Sequence, residues 1–222
     1  DILIRHVTAL TVDEDRRVIV DGAIVIEGDR IVAIDSDEDL AHHAESAAEV
    51  IDATGMVALP GLIDCHSHAG HGLVRALGSG DVEAWFGACQ ALYAGGTDVA
   101  FWAAEARLAL LERQMAGVTT CVTLLGGGAD IYRTDDPAFG DAHCAATRES
   151  GLRTMLAAGP GRPPFPQIYR SATGVETPVS FERQMEVCED LIARHNDILD
   201  SGTGICVVMP VYGRTDRGEV SA

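Results

Sequence analysis

The first 55 or so residues read as β, and parts of them show the period-two alternation of apolar and polar side chains that marks a half-buried strand. Ile2 to Ile4 and Val18 to Val20 follow it. Ala23-Ile24-Val25-Ile26 leads into Glu27-Gly28-Asp29-Arg30 and then Ile31-Val32-Ala33-Ile34, which predicts a hairpin with glycine in its turn. Asp35 to Glu49 is acidic and alanine-rich, as expected of a loop with a short helical turn. Val50-Ile51-Asp52 resumes as strand before a Thr54-Gly55 turn. Together these elements predict a small β-sandwich domain over residues 1–55.

From Met56 the rhythm changes. A continuous apolar run predicts a strand over Val57–His68. Helical periodicity follows from Asp98 to Met115, with Thr97 as N-cap and Gly117 past the end. Val118–Leu124 reads as strand, Ala138–Ser150 as helix ending at Gly151, and Leu152–Ala158 as strand. Phe181–His195 reads as a helix capped by Ser180, and Gly204–Met209 as a fourth strand. Strands alternating with helices predict βαβ units on a parallel sheet. With right-handed crossovers, residues 56–222 are expected to form the first half of a (β/α)8 TIM-type barrel. A complete barrel takes ~250 residues, more than follow residue 55. Four parallel strands alone would leave open edges. The chain is therefore expected to be part of a longer protein, or to be completed by a second copy.

The composition suits a soluble globular protein, with 47% hydrophobic and 23% charged residues. No apolar run is long enough to span a bilayer, and no signal-type segment opens the chain. The formal net charge is −18, from 34 acidic against 16 basic residues, and every basic residue is arginine. Such a balance argues against nucleic acid and anionic membrane as partners, and suits either an ordinary acidic enzyme or a salt-adapted one. Cys65, Cys89, Cys121, Cys144, Cys188 and Cys206 show no paired spacing and mostly have apolar neighbours. They are expected to be reduced core residues of a cytoplasmic protein.

The candidate chemistry sits at the end of one apolar run, Leu59-Pro60-Gly61-Leu62-Ile63-Asp64-Cys65-His66-Ser67-His68. Residues two apart on a strand share a face, so His66 and His68 present their imidazoles side by side, with Cys65 and Ser67 turned away. Imidazole is the commonest ligand of zinc and also suits iron. A pair of hydrogen-bonded histidines at a strand end is the alternative. His42-His43, in a polar acidic stretch, reads as a solvated pair.

The stretch Val50 to His68 resembles the first barrel strand of the amidohydrolase superfamily, most specifically in its Pro-Gly-Leu-Ile-Asp-x-His-x-His block. His71-Gly72-Leu73-Val74-Arg75-Ala76-Leu77-Gly78 and the opening Asp1-Ile2-Leu3-Ile4-Arg5 are similar to the cytosine-deaminase-like and triazine-hydrolase branch. The resemblance runs in register to about Pro210, covering the N-terminal portion of such a protein. It implies one divalent metal, zinc or iron, held by His66 and His68. Further ligands would come from the fifth, sixth and eighth strands, with a glutamate near the sixth as proton shuttle. None of those strands is in this chain, so the catalytic residues are unassigned. Some relatives bridge two metals through a lysine on strand 4. The lysine-free run Ile205-Cys206-Val207-Val208-Met209-Pro210 implies the single-metal type.

The activity so implied is hydrolysis of a C–N or C–halide bond of a heterocycle or amidine by a metal-bound hydroxide. Hydrolysis of a cyclic or acyclic amide is the alternative, and a non-catalytic fragment or binding module the second. The expected partners are a small-molecule substrate and further copies of the chain in a dimer or larger assembly.

His71, just past the strand, and Trp85 are candidate substrate contacts, the alternatives being a loop residue and helix packing. Arg75 is expected to pair with a carboxylate. His143 and His195 fall in helices and are expected to be solvated, not ligands. Two long loops, Leu125 to Pro137 and Gly159 to Pro178, follow strands 2 and 3 on the side where such barrels bind substrate. The triple glycine Gly126-Gly127-Gly128 lacks the ending of a phosphate loop and reads as a hinge. Tyr132, Arg133, Phe165 and Tyr169 are further pocket candidates without an assigned role.

Overall fold

The structure is a computed structural model that describes residues 1–78, 80–126 and 132–209. It divides into two compact units, Asp1–Gly61 and Leu62–Ala222.

In the first unit, β1 (Ile2–Leu10), β2 (Val18–Glu27), β3 (Arg30–Ser36), β4 (Glu49–Asp52) and β5 (Val57–Ala58) form one mixed sheet. Its order is β3-β2-β1-β4, with β5 also paired to β1. The expected hairpin is present: β2 and β3 are antiparallel, Glu27 faces Arg30, and Gly28 takes φ +58° in the turn. A short helix, α1 (Asp37–Leu40), is capped by the Ser36 side chain and runs into a 3₁₀ turn over Ala41–Glu45. Leu3, Ala23, Val25 and Leu40 form one apolar cluster, and Val7, Ala9, Ile24 and Ala53 another.

The second unit carries a four-stranded parallel sheet in the order β11-β8-β7-β6. These strands are β6 (Leu62–His68), β7 (Val118–Leu124), β8 (Arg153–Ala158) and β11 (Thr203–Val207). Between them lie α2 (Val82–Ala94), α3 (Val99–Met115), α4 (Pro137–Ser150) and α5 (Phe181–His195). Trp102, Glu105, Ala106, Ala109 and Leu110 form the buried stripe of α3, at helical spacing. Ala106 and Leu110 pack with Cys121 of β7, Ala146 of α4 and Leu152, so one face of the sheet is covered by helices. The larger core gathers Tyr93, Trp102, Leu125, Leu156, Val187 and Leu191. Each such side chain removed from water contributes roughly 1.5–3 kcal/mol.

Helix ends follow from their residues. Asp136 caps α4 ahead of Pro137, and Gly151 closes it at φ +75°. Ser180 caps α5 by accepting from the Arg183 amide. At α3 the cap is Asp98, whose carboxylate accepts from the Phe101 amide. Thr97, expected there, is instead buried: its hydroxyl donates to the Leu92 carbonyl and accepts from the Trp102 indole.

Several expectations are corrected. The run Val57–His68 is two strands, because Leu59-Pro60-Gly61 breaks it and β5 joins the first unit's sheet while β6 opens the second. Helix α2 was not anticipated, since its apolar residues lie on all sides. The loop after β8 contains a hairpin of β9 (Gln167–Arg170) and β10 (Glu176–Val179). His143 is 2% exposed, not solvated, and burial pushes its pKa down to about 4. His195 is mostly buried and pairs with Asp141 at 2.7 Å. Cys89, Cys121, Cys144 and Cys188 are buried as expected, whereas Cys65 is exposed, and all six cysteines are free. Among the described residues, no helix is long and apolar enough to cross a membrane.

Candidate metal centre

The Asp64–His68 segment is not a regular strand. Asp64 faces Cys121 of β7 and Ser67 faces Thr123, so three steps along β6 match two along β7. This bulge turns Ser67 inward, where it is buried and donates to the Val122 carbonyl at 2.8 Å. His66 and His68 are left beside each other, their ring centroids 5.2 Å apart at an interplanar angle of 77°. Asp64 braces the bulge. One carboxylate oxygen accepts from the His66 amide, and the other accepts from Arg113 Nε of α3 at 3.1 Å.

His66 is exposed and His68 half-buried. Nδ1 of His68 lies 3.1 Å from the Gly126 carbonyl oxygen. A carbonyl only accepts, so Nδ1 carries the proton and Nε2 keeps its lone pair for a metal. Burial holds the His68 pKa below the usual imidazole value, which favours the neutral, ligating form. The donor set therefore fits a zinc-type ion as two of its ligands. Among the described residues, no three metal-ligating side chains converge.

His71 extends the cluster. Its ring stacks on His68 at 4.3 Å, lies 6.1 Å from the Tyr93 ring, and meets Trp85 edge-on at 4.8 Å. Burial lowers its pKa to about 4. Trp85 donates its indole N–H to the Val74 carbonyl at 3.2 Å, and Gly78 permits that approach: a Cβ there would lie 2.5 Å from the Trp85 Cβ. A recess of about 250 Å³ borders Trp85, Arg75, Gly78 and Asp81. Arg75 pairs with Glu112 of α3, as anticipated.

The loop candidates are held by packing, and two of them, Arg133 and Tyr169, also line a recess of about 360 Å³. Arg133 is 2% exposed and fully engaged, with Asp135 at 2.9 Å, the Tyr93 carbonyl at 2.7 Å and the Phe139 ring 3.8 Å below the guanidinium. Tyr169 donates to the Tyr132 carbonyl at 2.6 Å. Phe165 packs edge-on against Phe181. Gly127, Gly128 and Pro210 lie outside the described residues. Sequence reasoning missed the role of the Gly126 carbonyl. It also missed Glu105, a carboxylate on the buried stripe of α3; its place at an apolar position of the helical repeat was the available signal.

No protein-family model matches the chain. It is 31% identical over 160 residues to the 5′-deoxyadenosine deaminase of Methanosarcina mazei, covering 72% of this chain and 33% of that protein. The 5-methylthioadenosine/S-adenosylhomocysteine deaminase of Pelotomaculum thermopropionicum is 28% identical over 164 residues, again 72% of this chain and 34% of the relative. The chain thus spans about a third of the length of these curated relatives. Among solved structures, it is similar to the zinc complex of atrazine chlorohydrolase from Arthrobacter aurescens TC1. The TM-score is 0.71 and the identity 26%, over 95% of this chain and 47% of that one. Homologous over most of its length to deaminases and to a triazine hydrolase, the chain belongs to the amidohydrolase superfamily.

Proposed function

We propose that this chain is the metal-binding first part of a hydrolase that attacks a C–N or C–halide bond of a heterocycle or amidine, in the manner of a deaminase. The observation that carries this reading is the His66–His68 pair, with Nε2 of His68 left available by the Gly126 carbonyl. The deaminase names of its relatives and the zinc in the chlorohydrolase support the same chemistry.

In this reading His66 and His68 hold one zinc ion. The ion supplies Lewis-acid activation of water. Gly126 orients His68. His71 and Trp85 form an apolar wall beside the metal, and burial keeps His71 neutral, so it contributes ring surface and no positive charge. The remaining ligands and the proton shuttle come from parts of the protein outside the described residues.

The same proposal completes the fold. The parallel sheet is half of a (β/α)8 barrel that begins at Leu62, later than the residue 56 expected from the sequence, and residues 1–61 contribute to a β-sandwich. Leu62 and Ile63 on the β6 edge are 51% and 66% exposed, apolar surface that a neighbouring barrel strand would cover. A cytoplasmic setting is part of the reading, supported by six free cysteines, and so is homo-oligomerisation, which sedimentation velocity tests.

The deciding experiment assays the zinc-loaded protein on aminated and halogenated purines, pyrimidines and triazines, with detection of ammonia and halide. Release of either from at least one ring supports the proposal. Cleavage of cyclic amides alone, or a protein that takes up no metal, overturns it.

A further inference from the structure

The segment from Gly70 to Leu73, directly after the histidine pair, is clamped from two sides. Tyr93 of α2 is fully buried and its hydroxyl donates to the Gly70 carbonyl. Glu105 of α3 is also 0% exposed, and its Oε2 accepts from the Leu73 amide at 2.7 Å. The backbone comes this close because residue 72 is glycine. A Cβ there would lie 3.3 and 3.4 Å from the two carboxylate oxygens and 3.1 Å from Leu108 Cδ2. His71 sits between the two anchor points, stacked on His68.

A carboxyl at a core position is costly to bury. That cost is visible here, since Glu105 Oε1 is buried with no hydrogen-bond partner among the described residues. Packing alone does not call for an acid at this place. Trp102, Ala106, Ala109 and Leu110 occupy the rest of the stripe. What the carboxyl does, and an aliphatic side chain would not, is accept from a main-chain amide two residues beyond His71. Two residues further along the same helix hold the flanks of this segment: Glu112 pairs with Arg75, and Arg113 with Asp64. Positions 105, 112 and 113 lie on one side of a helix.

We propose that Glu105 is a positioning residue for the imidazole cluster, acting through the Leu73 amide to fix the path of residues 70–73 and so the stacking of His71 on His68. The proposal builds on the reading of His66 and His68 as metal ligands. Its test is arranged so that the two fail separately.

The whole protein is compared with Glu105→Gln and Glu105→Met, without metal, by hydrogen exchange at the Leu73 amide and by the ring-to-ring nuclear Overhauser effect between His68 and His71. Glu105→Met is expected to speed Leu73 exchange at least about tenfold and to abolish the ring contact. Glu105→Gln, whose carbonyl still accepts from Leu73, is expected to stay close to the unsubstituted protein on both measures. Should the methionine variant fail to fold, Gly72→Ala tests the same clamp by pushing the backbone off the carboxylate, with the same loss expected. Unchanged exchange and an intact ring contact in the variant that folds overturn the proposal. So does a glutamine variant as impaired as the methionine one. Zinc affinity is measured in parallel, and a loss of about tenfold or more in Glu105→Met is expected for an outer support of a metal ligand. Failure of the unsubstituted protein to take up zinc overturns the metal reading and leaves the positioning role to the two metal-free measures.

Discussion

His68 Nδ1 and the Gly126 carbonyl oxygen lie 3.1 Å apart across 58 residues of chain. This contact decides which nitrogen of His68 is free. With Nδ1 donating to Gly126, Nε2 is the nitrogen that keeps its lone pair. The pairing leaves His68 able to ligate through Nε2, as the proposed metal reading requires.

If the pair holds the metal, each imidazole is needed. His66→Ala and His68→Ala are both expected to leave the purified protein with substoichiometric zinc and at least about 100-fold less hydrolytic activity. Metal analysis by mass spectrometry checks the first, and the substrate panel the second. Full zinc content in both variants would remove the assignment.

Burial of His143 makes stability depend on pH. Its pKa is pushed down to about 4 in the fold, against roughly 6.5 in the unfolded chain. Between these values the unfolded chain binds a proton that the folded one refuses. The contribution is therefore fully present above about pH 6.5, falls as pH drops toward 4, and levels off below. Denaturant midpoints for the protein and His143→Gln should diverge across that window. Parallel pH profiles would show that His143 is not the group responsible.

Arg5 and Asp37 predict a second, more acidic dependence. Arg5 donates to both Asp37 oxygens and holds that carboxyl below the usual aspartate range. A depressed carboxylate pKa stabilises the fold above the unfolded value of about 3.9, and this is lost as pH falls through the lower folded value. Arg5→Gln should lower the thermal midpoint at pH 6 and flatten its fall below about pH 4. Identical melting of the two proteins at pH 6 would contradict this.

Two glycines on α4 and at its end should fail for different reasons. Gly151 has φ +75° and open space around its missing Cβ, so Gly151→Ala should cost about 1 kcal/mol of left-handed strain and nothing in packing. At Gly140 a Cβ would come within 2.6 Å of the buried Leu191 methyls, and Gly140→Ala should cost roughly 1–3 kcal/mol by overpacking. Adding Leu191→Ala should relieve the strain at Gly140 and not at Gly151. Double-mutant cycles in urea measure both.

A net charge of −18 implies self-repulsion that dissolved salt screens. The thermal midpoint is expected to rise between about 0.05 M and about 1 M sodium chloride, as the Debye length shortens from more than 10 Å to about 3 Å. A midpoint highest in the most dilute buffer would argue for an ordinary acidic surface.

Much of this was legible along the chain. The β2–β3 hairpin followed from alternation and one glycine turn, and α5 matched its Ser180 cap and helical repeat at both ends. Helix α2 was not legible, because its apolar residues do not form a single stripe. The β9–β10 hairpin lay hidden in a segment whose prolines suggested irregular chain. His143 looked solvated because a lone histidine carries no local sign of the core built over it.

The sequence by itself determined the spacing of His66 and His68, the strand–helix alternation, the caps and the charge, since these depend on neighbours within a turn or a pleat. Only the tertiary structure decided the rest. The bulge between Asp64 and Ser67 is set by pairing with β7, the free nitrogen of His68 by Gly126, and the grip on residues 70–73 by Tyr93 and Glu105. Each of these joins residues far apart in the chain, and the energy that holds them comes from burial and hydrogen bonds that exist only once the core has formed.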